Sequence, residues 1–267
     1  MPQTPPFSID EALLAKVEAI AEQAGAVILQ HYHGGTQARA KADTSPVTAA
    51  DEAAEALIMP ALRALAPDVP VVSEEAVCAG HIPEVHGAAN SSGRFWLVDP
   101  LDGTREFISG NGEFTVNIAL IEKDRPVLGV VHIPALATTY GGIVGRAARL
   151  HRDGGSRTIA VRKLPHDGAI VLSSRSHGDA DALDAFLANE RIGGHRIAGS
   201  ALKFCLVAEG IADLYPRLGR TMEWDTAAGH AVVVAAGGRV TTLDGTDLVY
   251  GKPGFDNPHF VARGRTD

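Results

Sequence analysis

The run Phe95-Trp96-Leu97-Val98-Asp99-Pro100-Leu101-Asp102-Gly103-Thr104 restricts the folds open to this chain more than any other stretch. Its four apolar residues predict a short buried strand, which breaks off in an acidic turn built on Pro100 and Gly103. Pro100 fixes its own φ and biases Asp99 toward extended backbone, while Gly103 permits a close turn that a side chain would block. Two carboxylates therefore leave the end of one strand together. Carboxylates held close to each other repel unless a proton or a cation lies between them, so the stretch asks for a hard metal ion, with magnesium the natural candidate. The same residues also satisfy a plainer description, an Asx-rich turn whose side chains hydrogen-bond the backbone.

Around this stretch the pattern alternates between helix and strand periods. Ser8-Ile9-Asp10-Glu11 reads as a capping box, and Leu13, Leu14, Val17, Ile20, Ala21, Ala24, Val27 and Ile28 recur at helical spacing as far as Tyr32. A second helix is expected from Thr48 or Ala49 up to Pro67-Asp68, with Ala53, Leu57, Ile58 and Leu65 inward. Residues 69–72 read as a short strand that runs into Ser73-Glu74-Glu75, so a second strand also ends in carboxylates. Residues 104–108 suit one or two helical turns. Residues 114–121 and 127–133 read as antiparallel strands joined by the polar link 122–126, with a third strand at 138–144. The Gly- and Arg-rich segment 146–162 reads as a boundary between an N-terminal α+β part, residues 1–155, and a C-terminal α/β part, residues 156–267. Beyond it come strands at 169–173, 195–197, 212–215 and 239–242, and helices at 180–188, 200–208 and 225–236, the last ending at Gly237-Gly238.

A chain of 267 residues that is 45% apolar buries a substantial core. Its formal net charge of -8 offers no general attraction to nucleic acid polymers or anionic membranes, so a phosphorylated substrate must be held by local cations or metal. No apolar run reaches membrane-spanning length and no basic, then apolar, leader opens the sequence, which makes the cytoplasm the expected location. The two cysteines, Cys78 and Cys205, form no CxxC or Cys-His cluster and read as reduced, packed thiols.

Several chemistries are excluded by their missing motifs: GxGxxG, GxxxxGK, HExxH, GxSxG and the Cys-x5-Arg loop of thiol phosphatases. What remains is a set of carboxylates at element ends. Glu74 follows one strand, Asp99 and Asp102 follow another, Asp51 lies in the first turn of the second helix, and Asp225 opens the last. Singly, each has a structural explanation, since an acidic residue at a helix N-terminus favours the macrodipole and loops are commonly acidic.

The stretches Ser45-Pro46-Val47-Thr48-Ala49-Ala50-Asp51, Ser73-Glu74-Glu75, Asp99-Pro100-Leu101-Asp102-Gly103-Thr104 and Glu223-Trp224-Asp225-Thr226-Ala227-Ala228-Gly229 together resemble the ordered motifs of the inositol monophosphatase superfamily of Mg-dependent phosphatases. The resemblance spans nearly the whole chain. Residues 111–120, Ala201-Leu202-Lys203-Phe204-Cys205, Ala208-Glu209-Gly210 and Tyr215-Pro216-Arg217 look more narrowly like the bacterial 3'(2'),5'-bisphosphate nucleotidase branch, which converts adenosine 3',5'-bisphosphate to AMP in sulfate assimilation. The resemblance implies a layered α/β/α/β/α sandwich and two to three magnesium ions. One ion would be held by Glu74, Asp99 and the Leu101 carbonyl, a second by Asp99, Asp102 and Asp225, and a third, more weakly, near Glu74. Asp51 and Thr104 would be the catalytic pair that orients and deprotonates the attacking water, since a threonine alone is too weak a base. Without the motif, Thr104 would read as a helix cap. Substrate would contact Glu74, Leu101, Asp102, Gly103, Thr104 and Asp225, with backbone amides of Gly103 and Thr104 on phosphate oxygens. Lys203 and Arg217 are candidates for the rest of the nucleotide, Lys41 is a further cation for the phosphate or a carboxylate, and His195 and His230 read as structural. A homodimer stays open. The nearest alternative activity is that of a phosphatase of inositol monophosphate or another small sugar phosphate, and the alternative outside enzymes is a silent metal- or nucleotide-binding regulator.

Overall fold

The computed structural model describes residues 8–34, 39–40, 46–47, 49–86, 90, 92–174, 180–188 and 190–265, so Lys41 and the Thr48 alternative for a helix start lie outside the described residues. In chain order the elements are α1 (Glu11–Gly34), β1 (Arg39–Ala40), β2 (Pro46–Val47), α2 (Ala49–Leu65), β3 (Val71–Ser73), α3 (Glu74–Cys78), β4 (Arg94–Asp102) and α4 (Thr104–Ser109). Next come β5 (Thr115–Glu122), β6 (Arg125–Ile133), β7 (Thr138–Ile143), β8 (Ala148–Arg152), β9 (Gly155–Ile159), β10 (Ala169–Ser173), α5 (Ala180–Leu187) and β11 (Ile192–Ile197). The chain finishes with α6 (Leu202–Ala208), β12 (Leu214–Arg217), α7 (Glu223–Ala235), β13 (Arg239–Thr242) and β14 (Phe260–Arg263).

Among the described residues the strands build a seven-stranded sheet, ordered β3-β4-β5-β6-β7-β8-β9, and a five-stranded sheet, ordered β11-β10-β12-β14-β13. Strand residues alternate between faces, and the core divides by that parity. Trp96, Val98, Val116, Ile118 and Leu120 pack on one side with α1 and α2. Phe95, Leu97, Ala119 and Ile121 pack on the other side with Phe204 of α6, Ala228 and Val232 of α7, and Phe260 and Ala262 of the second sheet. The outer face of the second sheet, with Ala169, Val171, Leu214 and Val261, is covered by Leu183, Phe186 and Leu187 of α5. The order of layers is therefore α1/α2, large sheet, α6/α7, small sheet, α5, which is the expected α/β/α/β/α sandwich. Helix α7 sits close to the large sheet because glycines face it: a Cβ on Gly129 would lie 2.3 Å from the Ala228 carbonyl, and one on Gly142 would lie 2.8 Å from Ala235 Cβ.

Several local expectations are corrected. Asp10, not Ser8, caps α1: its carboxylate accepts the Leu13 amide at 2.9 Å, and the Ser8 hydroxyl steadies that carboxylate at 2.6 Å. The inner face of α2 is Ala50, Ala54, Ile58 and Leu62, with Leu57 and Leu65 at its flanks and Ala53 half-buried, a small rotation of the apolar stripe. Residues 146–162 also carry the β8–β9 hairpin at the edge of the large sheet, whose turn uses Asp153 and Gly154 at positive φ. Its polar composition reflects an exposed edge strand. Strand β14, which carries no alternating signal, pairs with both β12 and β13. Cys78 is exposed because α3 buries none of its residues, whereas Cys205 is buried.

Candidate active site

The acidic stretch is not a turn after a strand; β4 continues through it with a bulge. Asp99 pairs with Asn117 and Asp102 with Thr115, so three steps along β4 are matched by two along β5. Pro100, lacking an N–H, cannot sustain the ladder, and the extra residue is absorbed there. The bulge reverses the parity of everything beyond it. Residues three apart on a regular strand point to opposite faces, but Asp99 and Asp102, opposite Asn117 and Thr115, point to the same face. By continuity with Phe95 and Leu97 that face is the one turned toward α6 and α7. Strand β3 runs parallel to β4, pairing Ser73 with Val98, so Glu74 leaves the neighbouring strand end on the same side.

Helices α6 and α7 meet these carboxylates with their N-terminal ends. Asp102 Oδ2 accepts the Ala201 amide at 2.7 Å together with Thr115 Oγ1 and Asn117 Nδ2, both at 3.3 Å, and the Ser200 hydroxyl donates to the Asp102 carbonyl at 3.0 Å. Asp99 Oδ1 accepts the Leu101 amide at 3.0 Å. Asp225 lies at the third position of α7, which begins at Glu223 rather than at Asp225, because the carboxylate reaches back to the Met222 amide at 2.8 Å and caps the helix. Gly103, at φ 88°, lets the chain leave β4 and enter α4; a Cβ there would lie 2.0 Å from Ser200 Oγ. The Thr104 hydroxyl donates to the Leu101 carbonyl at 3.3 Å, and Asp51 is buried in the first turn of α2.

A cavity of about 240 Å³ opens over this junction, lined by Glu74, Asp102, Gly103, Thr104, Lys203, Arg217 and Asp225 among others. Asp51, Asp99 and Leu101 are not among its lining residues, and each is buried, at most 2% exposed. Burial, then repulsion from Asp102 and Glu74, pushes the Asp225 carboxyl up to about 8; burial pushes Asp102 up to about 6 against the opposing pull of Lys203. Among the described residues, no group of three or more His, Cys, Asp or Glu side chains is gathered closely enough to hold an ion; the acids share the cavity without forming a coordination shell.

Lys203 is 3% exposed, with its ammonium donating to the Ser200 carbonyl at 2.7 Å and the Ala198 carbonyl at 3.3 Å; burial lowers it to about 8. Arg217 Nη2 donates to the Arg220 carbonyl at 2.9 Å, and its Nε is buried with no hydrogen-bond partner. His230, bonded to the Tyr250 hydroxyl at 2.9 Å, is structural, and His195 lies exposed on the edge strand β11. Sequence reasoning assigned no role to Ser200, Thr115, Asn117, Glu106 or Thr221. Ser200 and Ala201 had a weak signal, a Gly-Ser pair just before a helix; Thr115 and Asn117 become legible only once the β4–β5 register is known.

The model of the inositol monophosphatase family matches residues 9–263. The chain is 48% identical over 253 residues, 93% of its length and 98% of the relative's, to the 3'(2'),5'-bisphosphate nucleotidase CysQ of Salmonella typhimurium. It is 48% identical, over the same shares, to the protein of that name in Escherichia coli K12. Among solved structures it is similar to CysQ from Bacteroides thetaiotaomicron, at 34% identity and a TM-score of 0.79 over 96% of this chain and 98% of that one. An IMPase of Thermotoga maritima is similar at 27% identity and a TM-score of 0.75 over 95% and 92%.

Proposed function

The chain belongs to the inositol monophosphatase family, and from that premise we propose that it is a magnesium-dependent 3'(2'),5'-bisphosphate nucleotidase releasing the 3'-phosphate of adenosine 3',5'-bisphosphate. The observation that carries the reading is a single cavity lined both by the carboxylates Glu74, Asp102 and Asp225 and by the cations Lys203 and Arg217. The donors are all oxygens and mostly anionic, and burial, then repulsion from Asp102 and Glu74, raises Asp225 to about 8, a strain that a hard divalent cation relieves. In this reading Glu74, Asp99 and the Leu101 carbonyl hold one ion, Asp99, Asp102 and Asp225 a second, and Glu74 contributes to a weaker third. When bound, magnesium would neutralise phosphate charge and make water acidic enough to attack.

The chain's own residues do the rest. In this reading the Thr104 hydroxyl, which here donates to the Leu101 carbonyl, turns to the Asp51 carboxylate and accepts an O–H of the attacking water, so that the water's proton passes to the hydroxyl as the hydroxyl's own proton passes to Asp51. Amides of Gly103 and Thr104 at the start of α4 receive phosphate oxygens. Arg217, which lines the cavity, and Lys203, with one N–H beyond those given to Ala198 and Ser200, form a cationic pole for the second phosphate in a protein whose net charge of -8 would otherwise repel it. Residence in the cytoplasm and assembly as a homodimer belong to the same proposal; among the described residues no helix is long and apolar enough to cross a membrane.

The test is kcat/KM on adenosine 3',5'-bisphosphate, 3'-AMP and inositol 1-phosphate, each with Mg²⁺ and with EDTA. The bisphosphate should be strongly preferred and EDTA should abolish turnover. Arg217→Ala should lower kcat/KM for the bisphosphate by about ten- to a hundredfold, the worth of a charge-assisted phosphate contact, with little change for 3'-AMP. Better turnover of inositol 1-phosphate than of either nucleotide would move the assignment to the inositol phosphatases.

A further inference from the structure

The segment formed by residues 249–257 lies outside the carboxylate cluster, yet its hydrogen bonds end on the residue that holds Asp225. Glu223, at the start of α7, has no exposed surface. Its carboxylate accepts the Gly251 amide at 2.6 Å, the Lys252 amide at 2.9 Å and the Lys252 ammonium at 2.5 Å. That ammonium also donates to the Val249 carbonyl at 2.6 Å and to Asn257 Oδ1 at 3.2 Å, so its three N–H bonds are all used. With Oδ1 fixed by Lys252, the Asn257 amide group is oriented to donate to the Met222 carbonyl at 2.8 Å and the Thr226 hydroxyl at 3.0 Å. The Asn257 backbone amide donates to the Thr221 carbonyl at 2.9 Å. Met222, gripped in this way, gives its own amide to Asp225 Oδ2.

The arrangement is more specific than a helix cap requires. Asp225 already caps α7 from within, and Glu223 would be a costly choice for a position with no exposure unless its charge were needed to hold something. What it holds is Lys252, a compact ammonium whose three donors suit the converging acceptors Glu223, Val249 and Asn257. Through Asn257 the ammonium sets the Thr221–Met222 backbone, and that backbone sets the rotamer of Asp225.

We propose that Lys252, acting through Asn257 and Glu223, is a positioning residue that fixes the Asp225 carboxylate and thereby sets the protein's affinity for its divalent cation without touching it. The proposal rests on the reading of Asp225 as a magnesium ligand. Partners that orient metal ligands are typically worth 10- to 100-fold in affinity.

The experiment is a Mg²⁺ titration of the thermal midpoint of the full-length protein, run beside the Mg²⁺ dependence of phosphate release. Lys252→Met and Asn257→Asp should each raise the Mg²⁺ concentration for the half-maximal rise in midpoint by about tenfold or more, with kcat at saturating Mg²⁺ within a few-fold of wild type. Asn257→Asp keeps the acceptor for Lys252 and removes the donations to the Met222 carbonyl and the Thr226 hydroxyl, so it decides the matter alone if Lys252→Met does not fold. Variants that lose midpoint in EDTA but respond to Mg²⁺ at the wild-type concentration would overturn the positioning role. A wild type with no Mg²⁺-dependent rise would overturn the ligand reading of Asp225 and this proposal with it.

Discussion

Asp225 shows at the scale of one residue how the site's charge competes with folding. Burial, then repulsion from Asp102 and Glu74, raises its carboxyl from 3.8 to about 8. The folded state therefore holds a proton that the unfolded state releases, and the stability tied to that proton is complete below pH 3.8 and lost as pH rises toward 8. Asparagine carries no charge to repel and retains an oxygen for the Met222 amide. In EDTA, Asp225→Asn should melt above wild type at pH 8, the gap should narrow as pH falls and close near pH 4, and Mg²⁺ should reverse the order at pH 8 by stabilising the wild type more than the variant. Thermal midpoints across that range check the sign; a variant less stable than wild type in EDTA at pH 8 would mean that the carboxylate is not strained.

Among the elements, β4 and its exit into α4 decide the geometry. One extra residue at Pro100 turns Asp99 and Asp102 to the same face, and Gly103 then makes a left-handed turn beneath Ser200. An alanine at that φ costs roughly 1–2 kcal/mol in backbone strain alone. Its Cβ would also collide with Ser200 Oγ, so Gly103→Ala should cost more than about 2 kcal/mol in unfolding free energy. In a Ser200→Ala background the added cost should shrink toward the strain alone, a positive coupling in a double-mutant cycle. Strict additivity would show that the two residues do not share the space. The same turn explains why Ser200 itself tolerates φ 48°: its hydroxyl is tied to the Asp102 carbonyl.

For the whole molecule, the five layers bring parallel strand ends from both sheets to one place. Strands β3 and β4 deliver Glu74 and Asp102, while β10 and β12, also parallel, deliver Ser174 and Arg217 to the same cavity. This is where open α/β sheets usually place their ligands. The layers also bury two neutral histidines. Burial lowers His132, bonded to the Thr139 hydroxyl at 2.9 Å, to about 4, and lowers His230 to about 3. Their folded-state values lie below the unfolded value of 6.5, so their contribution is present above pH 6.5 and is lost as pH falls toward 4. Denaturant unfolding should show stability dropping by a few kcal/mol between pH 6.5 and 4, and His132→Gln with His230→Gln should flatten that slope. An unchanged slope would assign acid sensitivity to other groups.

Most of the fold was legible because its signals are local. The periodicity of α1, the apolar runs of β4 to β7 and the Gly237-Gly238 stop after α7 each need only neighbouring residues, and the acids at element ends are visible as a set from residue type and chain position. The β8–β9 hairpin and β14 were not legible, since short edge and closing strands owe their extension to pairing partners rather than to an alternating pattern. Of the residues that the family resemblance pointed to, Glu74, Asp102, Thr104 and Asp225 line one cavity, but the turn that relates Asp99 to Asp102 was misread, because a bulge is a mismatch between two strands and has no existence in one. Lys203 looked like a surface cation by composition and lies buried between Asp102 and two carbonyls; Glu223 and Lys252, 29 residues apart, meet only when the last strand folds back. Local chemistry can say which side chains are suited to hold a cation and a phosphate. Their facing one another across the same few ångströms depends on register, parity and layer order, which are set by long-range pairing and burial and so belong to the tertiary structure alone.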